Sequence, residues 1–207
     1  MSQLSHVEIV RMQRGQFAAT RQTLTRAFLD YPLMKYVNAD PAKRRRGVAT
    51  LYGGIVRDTL RYGEVHVSAG LEGACCWLPP GVSLPTFARE VRAGMLGLPL
   101  GFGWAGFRRL VDFDHVQRRL HAQYAKGPHW FLATIGVDPA HQGRGIGSAL
   151  MAPVLARADE ARTPCYLETH TLDNVRLYER HGFQIVEHLE NPTTVPLWAM
   201  LRPPASN

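Results

Sequence analysis

The stretch from Trp130 to Leu150 constrains the fold more than any other. It reads Trp-Phe-Leu-Ala-Thr-Ile-Gly-Val-Asp-Pro-Ala-His-Gln-Gly-Arg-Gly-Ile-Gly-Ser-Ala-Leu. Trp130 to Val137 is apolar and rich in aromatic and β-branched residues, the pattern of a buried strand. Asp138-Pro139 stops it, because proline donates no ladder hydrogen bond and restricts the residue before it. Gln142-Gly143-Arg144-Gly145-Ile146-Gly147 follows and opens into helical spacing at Ile146, Ala149 and Leu150. A side-chain-poor loop feeding a helix N-terminus aims free N–H groups and the positive dipole end at one point. That arrangement suits a phosphate group.

The rest of the chain predicts alternating helices and strands. Val7 to Met12 reads as a first strand, and Gly15 to Leu29 carries Phe17, Thr20, Leu24, Ala27 and Phe28 at helical spacing. Asp30-Tyr31-Pro32 reads as a turn. Asp40-Pro41 reads as an N-cap with proline at the first position of a helix to about Tyr62. Glu64–Ser68 and Gly73–Leu78 read as a hairpin ended by Pro79-Pro80-Gly81. Thr86 to Met95 looks helical, and Phe107 to Tyr124 reads as a basic helix. Between them, the uncharged Gly94–Gly106 fits either a bent helix connection or an apolar pocket wall. The helix after the glycine loop reaches about Arg162, with a kink expected at Pro153. Pro164 to Thr169 is then a strand parallel to the central one. Thr171-Leu-Asp173-Asn174 offers N-caps for a short helix to His181, closed by Gly182. Phe183–Val186 and Thr194–Leu201 form a last strand pair, and residues 202–207 a loose tail. The expectation is one domain over 1–207, with 82–127 as a helical insert.

The formal charge of +7 is concentrated in Lys43-Arg44-Arg45-Arg46, Arg108-Arg109 and Arg118-Arg119. These runs read as solvated helix faces rather than a nucleic-acid surface, because no aromatics interleave with them. No run approaches the roughly 18 apolar residues of a membrane span. Met1–Val10 lacks a basic-then-apolar leader pattern, so the expected location is cytoplasmic. Three cysteines without Cys-x-x-Cys spacing and nine histidines without His-x-x-x-His spacing predict no metal site.

Three glycines alone fit several uses. A P-loop would need a lysine that this loop lacks. A dinucleotide fingerprint fails at Ser148, although Glu168 lies about 20 residues on, where a ribose-binding acid belongs.

The combination of motifs is more specific. Gln142-x-x-Gly145-x-Gly147, after a strand ending Val137-x-Pro139, resembles the acetyl-CoA-binding motif of the GCN5-related N-acetyltransferase (GNAT) family. Asn174-Val-Arg-Leu-Tyr178-Glu-Arg-His-Gly182-Phe183 looks like that family's Asn-x-x-x-Tyr-x-x-x-Gly-Phe. Within the family, Trp130 to Phe183 looks closest to the puromycin N-acetyltransferases, and Asp30-Tyr31-Pro32 is a shorter match. The resemblance is strong over 128–186 and thin over 82–127.

The resemblance implies a mixed α/β fold: a mostly antiparallel sheet, a central parallel pair splayed for CoA, and helices on both faces. It implies acetyl-CoA as co-substrate, its pantetheine arm paired with main-chain groups of Ile135, Gly136 and Val137. Its pyrophosphate would lie on Gly143, Arg144, Gly145, Ile146, Gly147 and Ser148, after Gln142. Asn174 would bind the arm, and Tyr178, four residues on and so on the same helix face, would act as acid toward the sulfur. Glu168, at a strand end beside the cleft, reads as a general base, an ammonium anchor or a mere ion-pair partner. Tyr31, Trp77, Phe87, Phe102 and Trp104 are the candidate acceptor walls. The activity implied is transfer of acetyl to a small-molecule amine in a ternary complex, by a monomer or homodimer with neither nucleic-acid nor membrane partner. A protein amine, or a non-catalytic acyl-CoA-binding module, is the alternative.

Overall fold

The computed structural model describes residues 7–191 and 195–204. Seven strands form one sheet in the order β1-β2-β3-β4-β5-β7-β6. They are β1 (Ile9–Arg11), β2 (Glu64–Ser68), β3 (Gly73–Leu78), β4 (Trp130–Val137), β5 (Cys165–Thr169), β6 (Gln184–Leu189) and β7 (Leu197–Arg202). The helices are α1 (Phe17–Phe28), α2 (Pro32–Val37), α3 (Pro41–Tyr62), α4 (Phe87–Arg92), α5 (Leu98–Tyr124), α6 (Ile146–Glu160) and α7 (Leu172–Glu179). Every strand pair is antiparallel except β4–β5. One apolar cluster packs α1, α2, α3 and α5 on one sheet face, and a second packs α6 and α7 on the other. The expected fold class is the observed one.

Local chemistry explains most boundaries. The Asp40 carboxylate accepts from the N–H groups of Ala42 and Lys43 at 2.8 and 3.3 Å, so α3 starts at Pro41 as expected. Tyr31-Pro32, expected to be only a turn, opens α2, because proline is equally at home at a helix's first position. The helix α6 continues through Pro153. Thr194 of the expected last strand lies outside the described residues. Arg202, expected in the tail, ends β7 and forks onto Asp159 at 2.6 and 2.9 Å.

Arg44 departs from the expected solvated basic run. It is buried, and its guanidinium donates to the carbonyls of Leu29, Asn38 and Ala39 at 2.7 to 3.0 Å. A guanidinium has five donors in a fixed fork, so one side chain satisfies chain ends that α1 and α2 leave open.

The Gly94–Gly106 stretch resolves into a bent connection. Helix α5 starts at Leu98 and is broken at Gly103, whose φ of 75° and ψ of 162° are not helical. Its first half crosses α3 closely. A Cβ on Gly101 would meet the Gly47 backbone at 2.7 Å, and one on Gly47 would strike the Phe102 ring at 2.2 Å. The uncharged composition therefore reflects close helix packing, while Met95 and Leu98 of the same stretch also line the cavity described below.

Two irregularities in the middle of the sheet create the site. First, β5 pairs with β4 only at Trp130↔Cys165 and Phe131↔Tyr166, so the strands separate beyond Phe131. Second, the β3–β4 register jumps from Cys76↔Thr134 to Trp77↔Leu132, leaving Ala133 as a bulge. The bulge inverts the side-chain alternation of β4. Trp130 and Leu132 pack toward α6, but beyond the bulge Ile135 and Val137 do, while Gly136 faces Leu24, Ala27 and Phe28 of α1.

Candidate active site

The separation of β4 from β5 leaves main-chain groups unpaired by sheet. Asp138 donates its N–H to the Glu72 carbonyl in the β3 direction at 2.7 Å. By strand alternation, Ile135 and Val137 then present their N–H and C=O groups to the gap. The Val137 carbonyl is partly engaged by the Gln142 side chain at 3.1 Å. Gln142 thus ties the loop to the strand end.

The loop itself has the geometry expected of a phosphate cradle. Gly143 and Gly145 have φ of +76° and +78°, and nothing lies within 4 Å of where a Cβ would sit. Gly145 is the left-handed N-cap of α6, leaving the N–H groups of Ile146, Gly147 and Ser148 without helical partners. Arg144 is exposed and rests on the Ala140 carbonyl, while the Ser148 hydroxyl meets His181 Nε2 at 2.9 Å.

At the other end of the gap lies a recessed cavity of about 600 Å³, within the range of small-molecule sites. Its β-sheet lining runs from Phe131 to Ile135 on β4 and from Glu168 to His170 at the end of β5. Asn174 and Tyr178 enter from α7, so both motif residues share one cavity with Glu168. Most of the remaining wall is helical, from Phe28, from Leu51, Tyr52 and Ile55 of α3, and from Phe107, Asp114, Gln117, Arg118 and His121 of α5, with Tyr31, Leu78 and the loop residues 84–86 completing it.

Tyr31 is a hub. Its hydroxyl meets Thr169 Oγ1 at 3.3 Å and accepts from the His170 N–H at 3.0 Å and Asn174 Nδ2 at 3.3 Å. It therefore holds the start of α7 against the end of β5, as well as lining the cavity. Burial raises its phenol, and burial raises that of Tyr178 well above the ordinary value, so both stay protonated donors.

Glu168 has an unusual environment. Tyr166 donates to its Oε1 at 2.8 Å and Gln117 to its Oε2 at 3.1 Å, and no guanidinium or ammonium pairs with it among the described residues. Burial, only partly offset by those two donors, pushes its carboxyl up to about 8. A carboxyl titrating near neutrality can take a proton at working pH, which an ordinary surface glutamate does poorly.

The other lining charges are paired. Asp58 is buried against Arg89, which forks onto it at 3.0 and 2.6 Å. Removing one partner of such a pair costs about 3–5 kcal/mol, so this pair anchors α4 on α3. Arg118 donates to Asp114, Glu90 and the Pro85 carbonyl. His121 and His170 are each pushed down to about 4 by burial and are neutral at working pH.

Several expected wall residues are placed elsewhere. Tyr31 and Phe87 line the cavity, but Trp77, Phe102 and Trp104 do not. Trp77 is fully buried on the opposite sheet face, because inward residues of a strand buried on both sides alternate between two cores. Phe102 is spent filling the α3–α5 crossing, and Trp104 is 68% exposed. Missed were the polar residues Asp114, Gln117, Arg118 and His121. Their spacing of i, i+3, i+4 and i+7 marks one helix face, and that periodicity was the available signal. The three cysteines are buried, and burial pushes the Cys76 and Cys165 thiols up to about 12. None is a ready thiolate. Among the described residues, no cluster of three metal-ligating side chains occurs, and no helix is long and apolar enough to cross a membrane.

A mostly antiparallel sheet split between one parallel strand pair, with a glycine loop opening the next helix, is the GNAT fold. The comparisons agree. The model of the Acetyltransferase (GNAT) family matches residues 94–183. An uncharacterized N-acetyltransferase of Schizosaccharomyces pombe is 25% identical over 94% of this chain and 82% of its own length. The N-alpha-acetyltransferase RimI of Mycobacterium tuberculosis is 41% identical over 88 residues, covering 41% of this chain and 46% of that protein. A solved structure from Corynebacterium glutamicum, described as histone acetyltransferase HPA2 and related acetyltransferase, superposes with a TM-score of 0.66. It covers 96% of this chain and 97% of its own at 21% identity. The chain thus has the GNAT fold and resembles N-acetyltransferases of that family, whose members generally use acetyl-CoA.

Proposed function

We propose that the protein transfers acetyl from acetyl-CoA to an amine of a small molecule by direct attack. The observation that carries this reading is the convergence of Glu168, Tyr178 and the unpaired edge of β4 on one recessed cavity. The glycine loop fits a pyrophosphate, and the open edge at Ile135 and Val137 fits an amide-bearing arm lying as an extra strand. Glu168 first faces the incoming ammonium, then takes a proton from it. A main-chain N–H in the gap stabilises the oxyanion as the amine nitrogen bonds to the carbonyl carbon. The β4 lining of the cavity ends at Ile135, so Ile135 suits this role better than Val137. Tyr178 hydrogen-bonds the departing sulfur and gives it a proton as the carbon–sulfur bond breaks; the second proton of the attacking nitrogen leaves through solvent, which returns one proton to Tyr178 and takes the one held by Glu168.

The recessed shape favours a small acceptor over a protein chain, which would need an open groove. A puromycin-like aminonucleoside falls within the size range. The partial likeness to RimI keeps a protein α-amine as the second reading. A non-catalytic acyl-CoA sensor would have no use for a carboxyl tuned near neutrality beside Tyr178.

Thermal unfolding with acetyl-CoA, NAD and ATP tests the donor. Acetyl-CoA at 100 times its Kd should add about 2.7 kcal/mol, or roughly 2–4 °C of Tm per kcal/mol. A response to NAD alone would sink the reading. Tyr178→Phe should lower kcat for thiol release by at least about tenfold; unchanged turnover at every pH would remove Tyr178 from the chemistry.

A further inference from the structure

The protein as a whole carries a formal charge of +7, yet its cavity offers a ligand no free positive charge. Among the described lining residues, Arg118 is the one permanent cation. Each arm of its guanidinium is already engaged: Nε on Asp114, a terminal nitrogen on Glu90 at 2.7 Å, and the other on the Pro85 carbonyl at 3.0 Å. One guanidinium against two carboxylates leaves this cluster with a formal charge of −1. The Asp58–Arg89 pair sums to zero, and Glu168 has no cationic partner. The formal charge of the lining is therefore negative through that cluster, opposite in sign to that of the molecule, and Glu168 adds to it once its proton leaves.

The remaining wall is apolar. Phe28 stacks on Tyr52 at 4.1 Å, and Leu51, Phe107, Leu110 and Phe131 continue the surface. At the rim, Phe87 is 74% exposed while still lining the cavity, and the exposed Trp104 rests on Phe107 at 5.7 Å between ring centroids. Exposed aromatics leading into an apolar cavity match a ligand body that leaves water, not one that carries charge along its length.

We propose that the acceptor is a hydrophobic amine without a carboxylate: a primary ammonium on an aryl or branched-alkyl body. The inference rests on the acetyl-transfer reading and specifies its acceptor. Glu168 receives the ammonium, the aromatic and aliphatic wall takes the body, and the Arg118–Asp114–Glu90 cluster rejects anionic groups. An α-carboxylate brought against this lining meets like charge with no free guanidinium to pair with, and such juxtaposition disfavours binding. A polyamine fits poorly for another reason. Its further ammonium groups would leave water for an apolar wall without partners.

The test compares thiol release from acetyl-CoA with four acceptors: 2-phenylethylamine, phenylalanine methyl ester, phenylalanine and spermidine. The first two should be acetylated, with kcat/KM at least about 30-fold above the last two, as expected of roughly 2 kcal/mol of discrimination. Preference for phenylalanine or spermidine overturns the proposal, and so does turnover of none of the four while acetyl-CoA still raises Tm. Failure of acetyl-CoA to bind is a different result and overturns the acetyl-transfer reading itself. The double variant Glu90→Gln/Asp114→Asn releases the Arg118 guanidinium. In it the ratio of phenylethylamine to phenylalanine should narrow about tenfold, which a merely structural role would not produce. Should that variant not fold, the wild-type ranking decides alone.

Discussion

In the proposed function, the glycine loop at 142–148 and the cavity face of α5 serve the same site by opposite means. The loop works through its backbone: Gly143 and Gly145 are exposed and hold φ values of +76° and +78° that side chains would resist. The α5 face works through side chains whose meaning depends on what stands across the cavity. Gln117 matters because Glu168 is 3.1 Å away, and Arg118 because Asp114, Glu90 and Pro85 consume its donors. A backbone site must repeat nearly the same residues wherever it occurs. A side-chain site can be built from many helix faces. Donor recognition is therefore written narrowly in the chain, and acceptor recognition loosely.

The largest expected effect falls where the two regions meet. Glu168→Gln should lower kcat/KM by at least about 100-fold, because it removes the proton acceptor and leaves loop and cavity intact. Stability should move the other way. The native carboxyl titrates near 8, above its ordinary value, so the native state holds a proton that the unfolded chain loses from about pH 4.5 upward. That contribution is complete at low pH and lost as pH rises through 8. The variant's Tm should thus match wild type near pH 4 and exceed it near pH 9. A variant that is equally active, or that has the same Tm offset at both pH values, removes Glu168 from the proposed role.

Next comes the α3–α5 crossing. Gly47→Ala should cost about 1–3 kcal/mol by chemical denaturation, since its methyl would overlap the Phe102 ring. Acetyl-CoA affinity should change far less than acceptor KM, because only the acceptor wall is carried on α5. Equal losses in both would erase the distinction between the regions.

Gly145→Val reverses that experiment. A β-branched residue at φ +78° should weaken acetyl-CoA binding about tenfold in calorimetry while acceptor discrimination persists. The smallest effect is expected from Trp104→Ala, which should shift stability by less than about 0.5 kcal/mol, as exposed sites do. A modest rise in KM confined to bulky apolar acceptors would extend the proposed rim to Trp104.

Much of the architecture was legible in order. The Asp40-Pro41 cap placed α3, the Glu64–Ser68 and Gly73–Leu78 alternation placed the hairpin, and the run from Trp130 placed β4 and the loop after it. These are local codes: a cap, a period of two, a proline stop. Trp77, Phe102 and Trp104 show where such codes end. Each is a large apolar residue near a plausible pocket in sequence, yet one is in the opposite core, one in a helix crossing and one in solvent. Hydrophobicity says that a side chain seeks cover without saying which cover. The bulge at Ala133 was equally hidden, because it is a mismatch between two strands and belongs to neither alone.

By itself the sequence determined the strand–loop–helix that begins at Trp130, the spacing of Asn174 and Tyr178, and through them the family resemblance. Those features depend on backbone conformation within a few residues, which proline, glycine and helical periodicity dictate locally. Only the tertiary structure decided that Glu168 has no cationic partner beside Tyr166 and Gln117, that each nitrogen of Arg118 is engaged, and that the cavity lining carries a negative formal charge in a basic protein. Charge balance inside a cavity depends on side chains brought together from across the chain, from Asp58 to His170, and proximity of that kind exists only once the sheet has split and the helices have closed over it.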